Sequence, residues 1–168
     1  MIKLLKQVFE DLGKSEASAV DQKSIELCSF SLMAITASSD STFDEDEQAT
    51  ILALGERLFS LDKATAQSIL DEARQVADIS TSLYEFTSLV HEHMSEPEKF
   101  QLVKGLWSIA YADGRIDKYE EHIIRRIAEL IYLDHARFTE AKFEAQNSSS
   151  WRLLSAIAVH ETKRQKIR

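Results

Sequence analysis

The sequence predicts an all-α fold, because apolar residues recur at helical spacing along most of the chain and no segment alternates in the manner of a β-strand. The 168 residues include only 4 Gly and 1 Pro, too few for the many tight turns of a β-rich fold. Hydrophobic residues make up 44% of the chain, enough for a sizeable core in one domain. We therefore expect residues 1–168 to form a single-domain helical bundle of about eight or nine helices.

The predicted helices follow one another with short polar breaks. Residues 1–13 predict an amphipathic N-terminal helix, and weaker helices are predicted over about 135–146 and 150–165. Asp62, and Ser95 just before a proline, are residue types that begin helices. The apolar stripes that predict buried helix faces are Leu27, Phe30, Ala34 and Ala37; Ile51, Leu54 and Leu58; Ala66, Ile69, Leu70 and Ala73; Leu83, Phe86 and Val90; Phe100, Val103, Trp107 and Ala110; and Ile124, Ile127 and Ile131.

The two halves of the chain correspond without a gap when the sequence is shifted onto itself by 73 positions (113 − 40). The apolar stripes coincide, and so do three carboxylates in the loop between them: Asp40 with Asp113, Asp44 with Asp117, and Glu47 with Glu120. Any two amphipathic helices can match in their stripes, but the loop between them rarely matches as well. The pattern predicts a duplication, with a first repeat at 22–94 and a second at 96–165, related by an approximate internal two-fold.

Each repeat contains an acidic loop, which reads SDSTFDEDEQ in the first and ADGRIDKYEE in the second. One interpretation of these loops is structural. Asp44 and Asp117 would cap the helices that follow, and Glu47 and Glu120 would complete capping boxes. The same carboxylates would lie at the positive end of a helix dipole, which they stabilise.

The capping interpretation leaves one aspartate of each loop without a role, and clustered carboxylates are the ligands that hard divalent cations prefer. The second loop has the spacing of the second half of an EF-hand loop, but Ile109 and Tyr111 stand where the earlier ligands would be needed, so any site is partial and weak. Calcium or magnesium is expected rather than zinc, because no Cys or well-placed His joins the cluster. The candidate metal ligands are Asp113, Asp117 and Glu120 in the second loop and Asp40, Asp44 and Glu47 in the first.

Two helix–loop–helix units with an [A/S]-D-[G/S]-x-[I/F]-D-x-x-E core, in an acidic helical chain of this length, resemble the TerB family, which is named for tellurite resistance. The resemblance covers about residues 22–165. It implies a bacterial, cytoplasmic protein that acts in stress-response and membrane-associated complexes rather than as an enzyme, with the six acidic positions above as metal ligands. The chain departs from the family pattern at Ser41, where glycine is expected, so the first loop is the weaker candidate.

Composition and spacing exclude several functions. The formal net charge of −8 argues against nucleic-acid binding, which requires a basic surface, and no apolar run reaches the roughly 20 residues of a membrane span. Cys28, the only cysteine, is expected to pack as a small apolar residue in a reduced, cytoplasmic setting. His91 and His93 are two residues apart, so they do not form the paired histidines of a zinc-binding helix, and we expect both at the surface.

These observations favour a non-enzymatic binding or scaffold module of a bacterial stress-response system, with divalent cations at the paired acidic loops. Two alternatives stay open: a metal-dependent hydrolase in which the loops converge on one site, and a protein-interaction domain whose loops only cap helices. No nucleophile or general-base motif supports the hydrolase. Protein partners are expected and nucleic acid is not. The apolar stripe of residues 1–13 predicts docking on the domain, a homodimer contact or peripheral membrane association.

Overall fold

A computed structural model of the protein describes residues 22–38, 43–79, 83–112 and 116–148. Within these ranges the chain forms seven α-helices and no strand, which confirms the predicted all-α class for this part of the chain. The helices predicted over 1–13 and 150–165, both included in the expected total of about eight or nine, lie outside the described residues. The seven helices are α1 (Gln22–Ala37), α2 (Glu45–Phe59), α3 (Lys63–Ile79), α4 (Leu83–His93), α5 (Glu96–Ala110), α6 (Lys118–Leu130) and α7 (135–148).

Helix α1 lies at the centre of the bundle, where it contacts every helix from α2 to α6. It is apolar around most of its circumference, as expected for a helix that is buried on most sides. Ser29, Ser31 and Thr36 are nonetheless buried on it, because each hydroxyl donates a hydrogen bond to the backbone carbonyl four residues earlier, at 2.7–2.9 Å. Helix α5 packs on α1, α2 and α6. Both helices that precede an acidic loop therefore lie in the core.

The predicted apolar stripes face this core. Leu58 and Leu83 are only half-buried, because they lie near the ends of their helices. Nine other positions in these stripes are buried, as their helical spacing predicts: Leu27, Phe30, Ile51, Leu54, Phe100, Val103, Trp107, Ile124 and Ile127.

The helices that follow the two acidic loops end in the same way. Ser60 after α2 and Tyr132 after α6 have positive φ angles of 54° and 59°. In each case the N–H of the next residue, a leucine, donates to the carbonyl five residues earlier, as in a Schellman turn. An aspartate then caps the next helix by accepting a hydrogen bond from a backbone N–H at 2.8 Å. This residue is Asp62 for α3 and Asp134 for α7. The predicted helix start at Asp62 is confirmed, whereas superposition of the two repeats stays a prediction.

Candidate functional site

The first acidic loop leads into a capping box at the start of α2. Asp44 Oδ1 accepts a hydrogen bond from the Glu47 backbone N–H at 2.8 Å, and Glu47 Oε2 accepts one from the Asp44 backbone N–H at 3.0 Å. The first turn of α2 also contains Glu45 and Asp46. All four carboxylates lie at the positive end of the helix dipole, which stabilises negative charge.

The second acidic loop leads into the same arrangement at the start of α6. Asp117 Oδ1 accepts a hydrogen bond from the Tyr119 backbone N–H at 2.9 Å, and Glu120 Oε2 accepts one from the Asp117 backbone N–H at 3.0 Å. Glu121 is the other acidic residue of the first turn. The predicted capping role is therefore confirmed in both loops, for the aspartate and for the glutamate three residues later.

The two capping glutamates are buried, although they carry ionisable side chains. Glu47 and Glu120 are each 1% exposed. A buried carboxylate needs polar partners, and the backbone N–H of the capping aspartate is one of them in each case. A carboxylate has about four lone-pair directions, so a capping hydrogen bond does not prevent the same group from binding a cation.

The other two predicted ligands, Asp40 and Asp113, lie outside the described residues. Of the six candidate ligands, the structure brings together the capping aspartate and glutamate of each loop, as two pairs. Within the described ranges, no group of three or more His, Cys, Asp or Glu side chains is arranged to hold a metal. A three-carboxylate site at either loop would therefore need the upstream aspartate.

A charged and aromatic cluster borders the second loop. Lys142 Nζ, from α7, lies 3.2 Å from Glu121 Oε1 and 4.7 Å from the centre of the Trp107 ring. The rings of Trp107 and Tyr111 are 6.1 Å apart. Burial, and then the negative charge of Glu121, raise the pKa of the Tyr111 hydroxyl.

The first loop also has a basic neighbour. The guanidinium carbon of Arg74, from α3, lies 4.3 Å from the centre of the Phe43 ring. Phe43 is the residue directly before the capping Asp44 in the sequence. Neither basic residue could be predicted from the sequence as a neighbour of a loop, because no local pattern relates them to the loops. Lys142 and Glu121 are 21 residues apart, and only the packing of α7 against α6 brings them together.

One histidine is placed differently from its prediction. His91 is half-buried, so the expectation that it lies at the surface is wrong; α4 packs against the C-terminal end of α6 at this point. Its Nδ1 atom is 3.1 Å from both the Ile131 carbonyl oxygen and Lys99 Nζ, and its ring is 4.6 Å from that of Tyr132. His93 is exposed, as expected.

The cysteine is buried on the central helix, as its apolar surroundings predict. Cys28 is 3% exposed, and burial raises the pKa of its thiol to about 12. The thiolate is the reactive form of cysteine, so this side chain is a packing residue rather than a nucleophile.

The described residues define a class of protein: an all-helical domain with two acidic loops, each of which leads into a capped helix. The family model described as Tellurite resistance protein TerB matches residues 26–143, and the chain therefore belongs to the TerB family. All six candidate ligands fall within the matched residues. No curated protein and no solved structure matches the chain significantly. None of the helices in the described ranges combines the length and the apolar composition of a membrane span.

Proposed function

We propose that the protein is a non-enzymatic binding module of a bacterial, tellurite-resistance-type stress response, and that its acidic loops bind a hard divalent cation. One observation carries the cation proposal. Both loops place an aspartate four residues before a capping aspartate, and the confirmed capping boxes use the other two of the three carboxylates that recur in both loops. Asp40 and Asp113 take the same position in the two loops but are not part of the capping boxes. A bound cation explains their presence better than capping does.

The surrounding chemistry favours calcium or magnesium over zinc. The candidate ligands are all carboxylates, which hard cations prefer, and neither a cysteine nor a histidine belongs to the set. The second loop is proposed as the stronger site. Gly114 adopts a tight turn more readily than Ser41, its counterpart in the first loop. Because the ligand sets are incomplete, the proposed affinity is roughly 0.1–1 mM, at the weak end of protein calcium sites.

The proposed partners are other proteins of the stress response. The net charge of −8 makes basic surfaces the best match for this domain. Three uses are proposed for the apolar stripe of residues 1–13: docking on the domain, a homodimer contact or peripheral membrane association. Cytoplasmic residence remains part of this proposal, supported by family membership.

Thermal unfolding in the presence of cations tests the cation site. At about 10 mM calcium or magnesium, an affinity in the proposed range stabilises the folded state by about 1–3 kcal/mol, which raises the melting temperature by several degrees. Asp113→Asn should reduce this response without lowering the melting temperature of the cation-free protein. Asp62→Asn is the matched control, because Asp62 caps α3, is not a candidate ligand, and can be replaced in its cap by asparagine.

The result separates the proposed module from its alternatives. An equal response in Asp113→Asn and Asp62→Asn would mean that cations act through general charge screening. Crystals soaked with the cation decide between module and hydrolase. Ions at two separate loops support a binding module, whereas two ions about 3.5–4 Å apart would support a metal-dependent hydrolase.

A further inference from the structure

Helix α7 contributes little apolar surface to the core. Its buried side chains in the described part of the chain are one phenylalanine and two alanines: Phe138, Ala141 and Ala145. Phe143, its other large apolar residue, is 63% exposed. Helix α3 follows α2 in the chain as α7 follows α6. It buries two large aliphatic side chains, Ile69 and Leu70, together with two alanines. Hydrophobic burial therefore holds α7 less strongly than α3.

Charged side chains supply much of the contact between α7 and the rest of the bundle. Arg137 lies over the Phe100 ring of α5, with its guanidinium carbon 3.9 Å from the ring centre. Glu144 forms an ion pair with Lys104 of α5 at 2.6 Å. Three further contacts join α7 to α5 and α6 through charge: Lys142 with Glu121, Lys142 with the Trp107 ring, and Arg125 with the Phe138 ring.

These contacts are of a kind that salt weakens. The charged groups of both ion pairs are partly exposed, and such pairs contribute little to stability and are screened at high ionic strength. Contacts between a cation and an aromatic ring are also weak where solvent reaches the cation. The attachment of α7 therefore depends on ionic strength more than the attachment of α1 to α5 does, because the central helices are joined by fully buried apolar side chains.

Trp107 lies beneath α7 and would be exposed to solvent if this helix separated from the bundle. Trp107 has no exposed surface, and its Nε1 is a buried side-chain nitrogen without a hydrogen-bond partner in the described part of the chain. Separation of α7 would let water reach this nitrogen and accept its hydrogen bond. The ring contacts Phe138 and lies under Lys142, both on α7, so displacement of this helix would bring solvent to it.

We infer that α7 is a salt-sensitive cover, which opens as a unit from α5 and α6 while the remaining described helices stay folded. Opening begins at the turn that contains Tyr132, whose positive φ is unfavourable for a residue other than glycine. It exposes Phe100 near the start of α5, and Trp107 near the end of α5 that leads into the second acidic loop. This conformational change is independent of whether that loop binds a cation.

Native-state hydrogen exchange measures such an opening directly. In low salt, the amides of residues 139–146 should exchange at least about tenfold faster than those of α1 and α5, relative to their intrinsic rates. About 0.5 M NaCl should widen this ratio several-fold. Lys142→Met and Lys104→Met should widen it in low salt as well. Arg126→Met is the matched control, because it removes the same charge from an exposed pair with Glu129 on α6.

A second measurement reports on the tryptophan beneath the helix. In a Trp151→Phe background, Trp107 is the remaining tryptophan, and acrylamide should quench its fluorescence more strongly in about 0.5 M NaCl than in low salt. Exchange of α7 in step with α5 at both salt concentrations would overturn the inference. So would an equal effect of Arg126→Met and Lys142→Met, because the loss of any positive charge would then suffice.

Discussion

A hydrogen bond joins Glu120 to Asp117 at the start of α6: Glu120 Oε2 accepts from the Asp117 backbone N–H at 3.0 Å. The Asp117 carboxylate in turn caps the first turn of the helix. Glu47 and Asp44 repeat this relationship at the start of α2. The capping hydrogen bond gives each buried glutamate a partner that its own helix provides. The position of two of the three candidate ligands in each loop therefore follows from helix capping, before any cation is considered.

Removal of one capping carboxylate should destabilise the domain by a modest amount. Asp117→Ala is expected to lower the free energy of unfolding by roughly 0.5–2 kcal/mol, because it leaves a first-turn N–H without its acceptor. Asp117→Asn should be nearly silent in the absence of cations, since asparagine also caps helices. Urea unfolding of the two variants beside the parent measures both values. An alanine variant as stable as the asparagine variant would contradict the capping role.

Two helix glycines should respond very differently to an added methyl group. A Cβ atom on Gly55 would lie 2.0 Å from Phe30 Cζ, whereas one on Gly105 would lie 3.2 Å from the nearest Leu54 methyl carbon. Phe30 has no exposed surface and stacks on Phe59, so it has little room to move. Gly55→Ala should therefore cost about 1–3 kcal/mol. Gly105→Ala should stay within about 1 kcal/mol of the parent, because its gain in helix propensity offsets a mild contact.

Thermal or urea unfolding of the two glycine variants checks this difference. Both changes replace a helical glycine by the best helix former, so propensity alone predicts two stabilised proteins. Equal stabilities for Gly55→Ala and Gly105→Ala would contradict the packing of α2 against the Phe30 ring.

Local patterns in the sequence predicted much of this fold. Helical spacing identified the buried stripes, and the residue types at Asp44, Asp62, Ser95 and Asp117 predicted helix starts that the structure confirms. These features depend on residues within a few positions of one another. Turn chemistry was less predictable, because Tyr132 takes the left-handed position that glycine usually occupies.

Contacts between distant residues could not be predicted in the same way. Gly55 approaches Phe30 across 25 residues of chain (55 − 30), and no local pattern marks that contact. The half-buried position of His91 depends on the end of α6, which lies 40 residues further on. For the candidate site, the sequence predicted the capping pairs but not the basic residues beside them, because Lys142 and Arg74 come from other helices.

The thiol of Cys28 should be unreactive in the folded protein. Its pKa is raised by burial from 9.0 to about 12, so the folded state holds the thiol proton at pH values where the unfolded chain releases it. This stability contribution is fully present below about pH 9 and is lost as the pH rises towards about 12. Between these values the parent should lose stability more steeply than Cys28→Ala, which has no thiol.

A thiol-specific chromogenic reagent provides the simpler measurement. At pH 8, native protein should react far more slowly than protein in denaturant, which exposes the same single cysteine. Equal rates in the two conditions would contradict the buried position of Cys28.

Deletion of residues 1–13 tests the proposed homodimer contact. If the apolar stripe of this segment joins two copies, the shortened chain should be a monomer that unfolds at the same denaturant concentration as the parent measured at low protein concentration. Sedimentation velocity and urea unfolding together give the result. A shortened chain that is strongly destabilised would mean instead that the segment belongs to the core of its own domain.

Isothermal titration calorimetry of the 168-residue chain with calcium and with magnesium tests the proposed cation site most directly. The proposal predicts saturable heats with a dissociation constant of roughly 0.1–1 mM, weakened several-fold by Asp113→Asn and less by Asp40→Asn, since the second loop is the stronger site. Titrations that stay flat to millimolar concentrations for both metals and manganese would contradict it. The loops would then serve only to cap α2 and α6 of a protein-interaction domain.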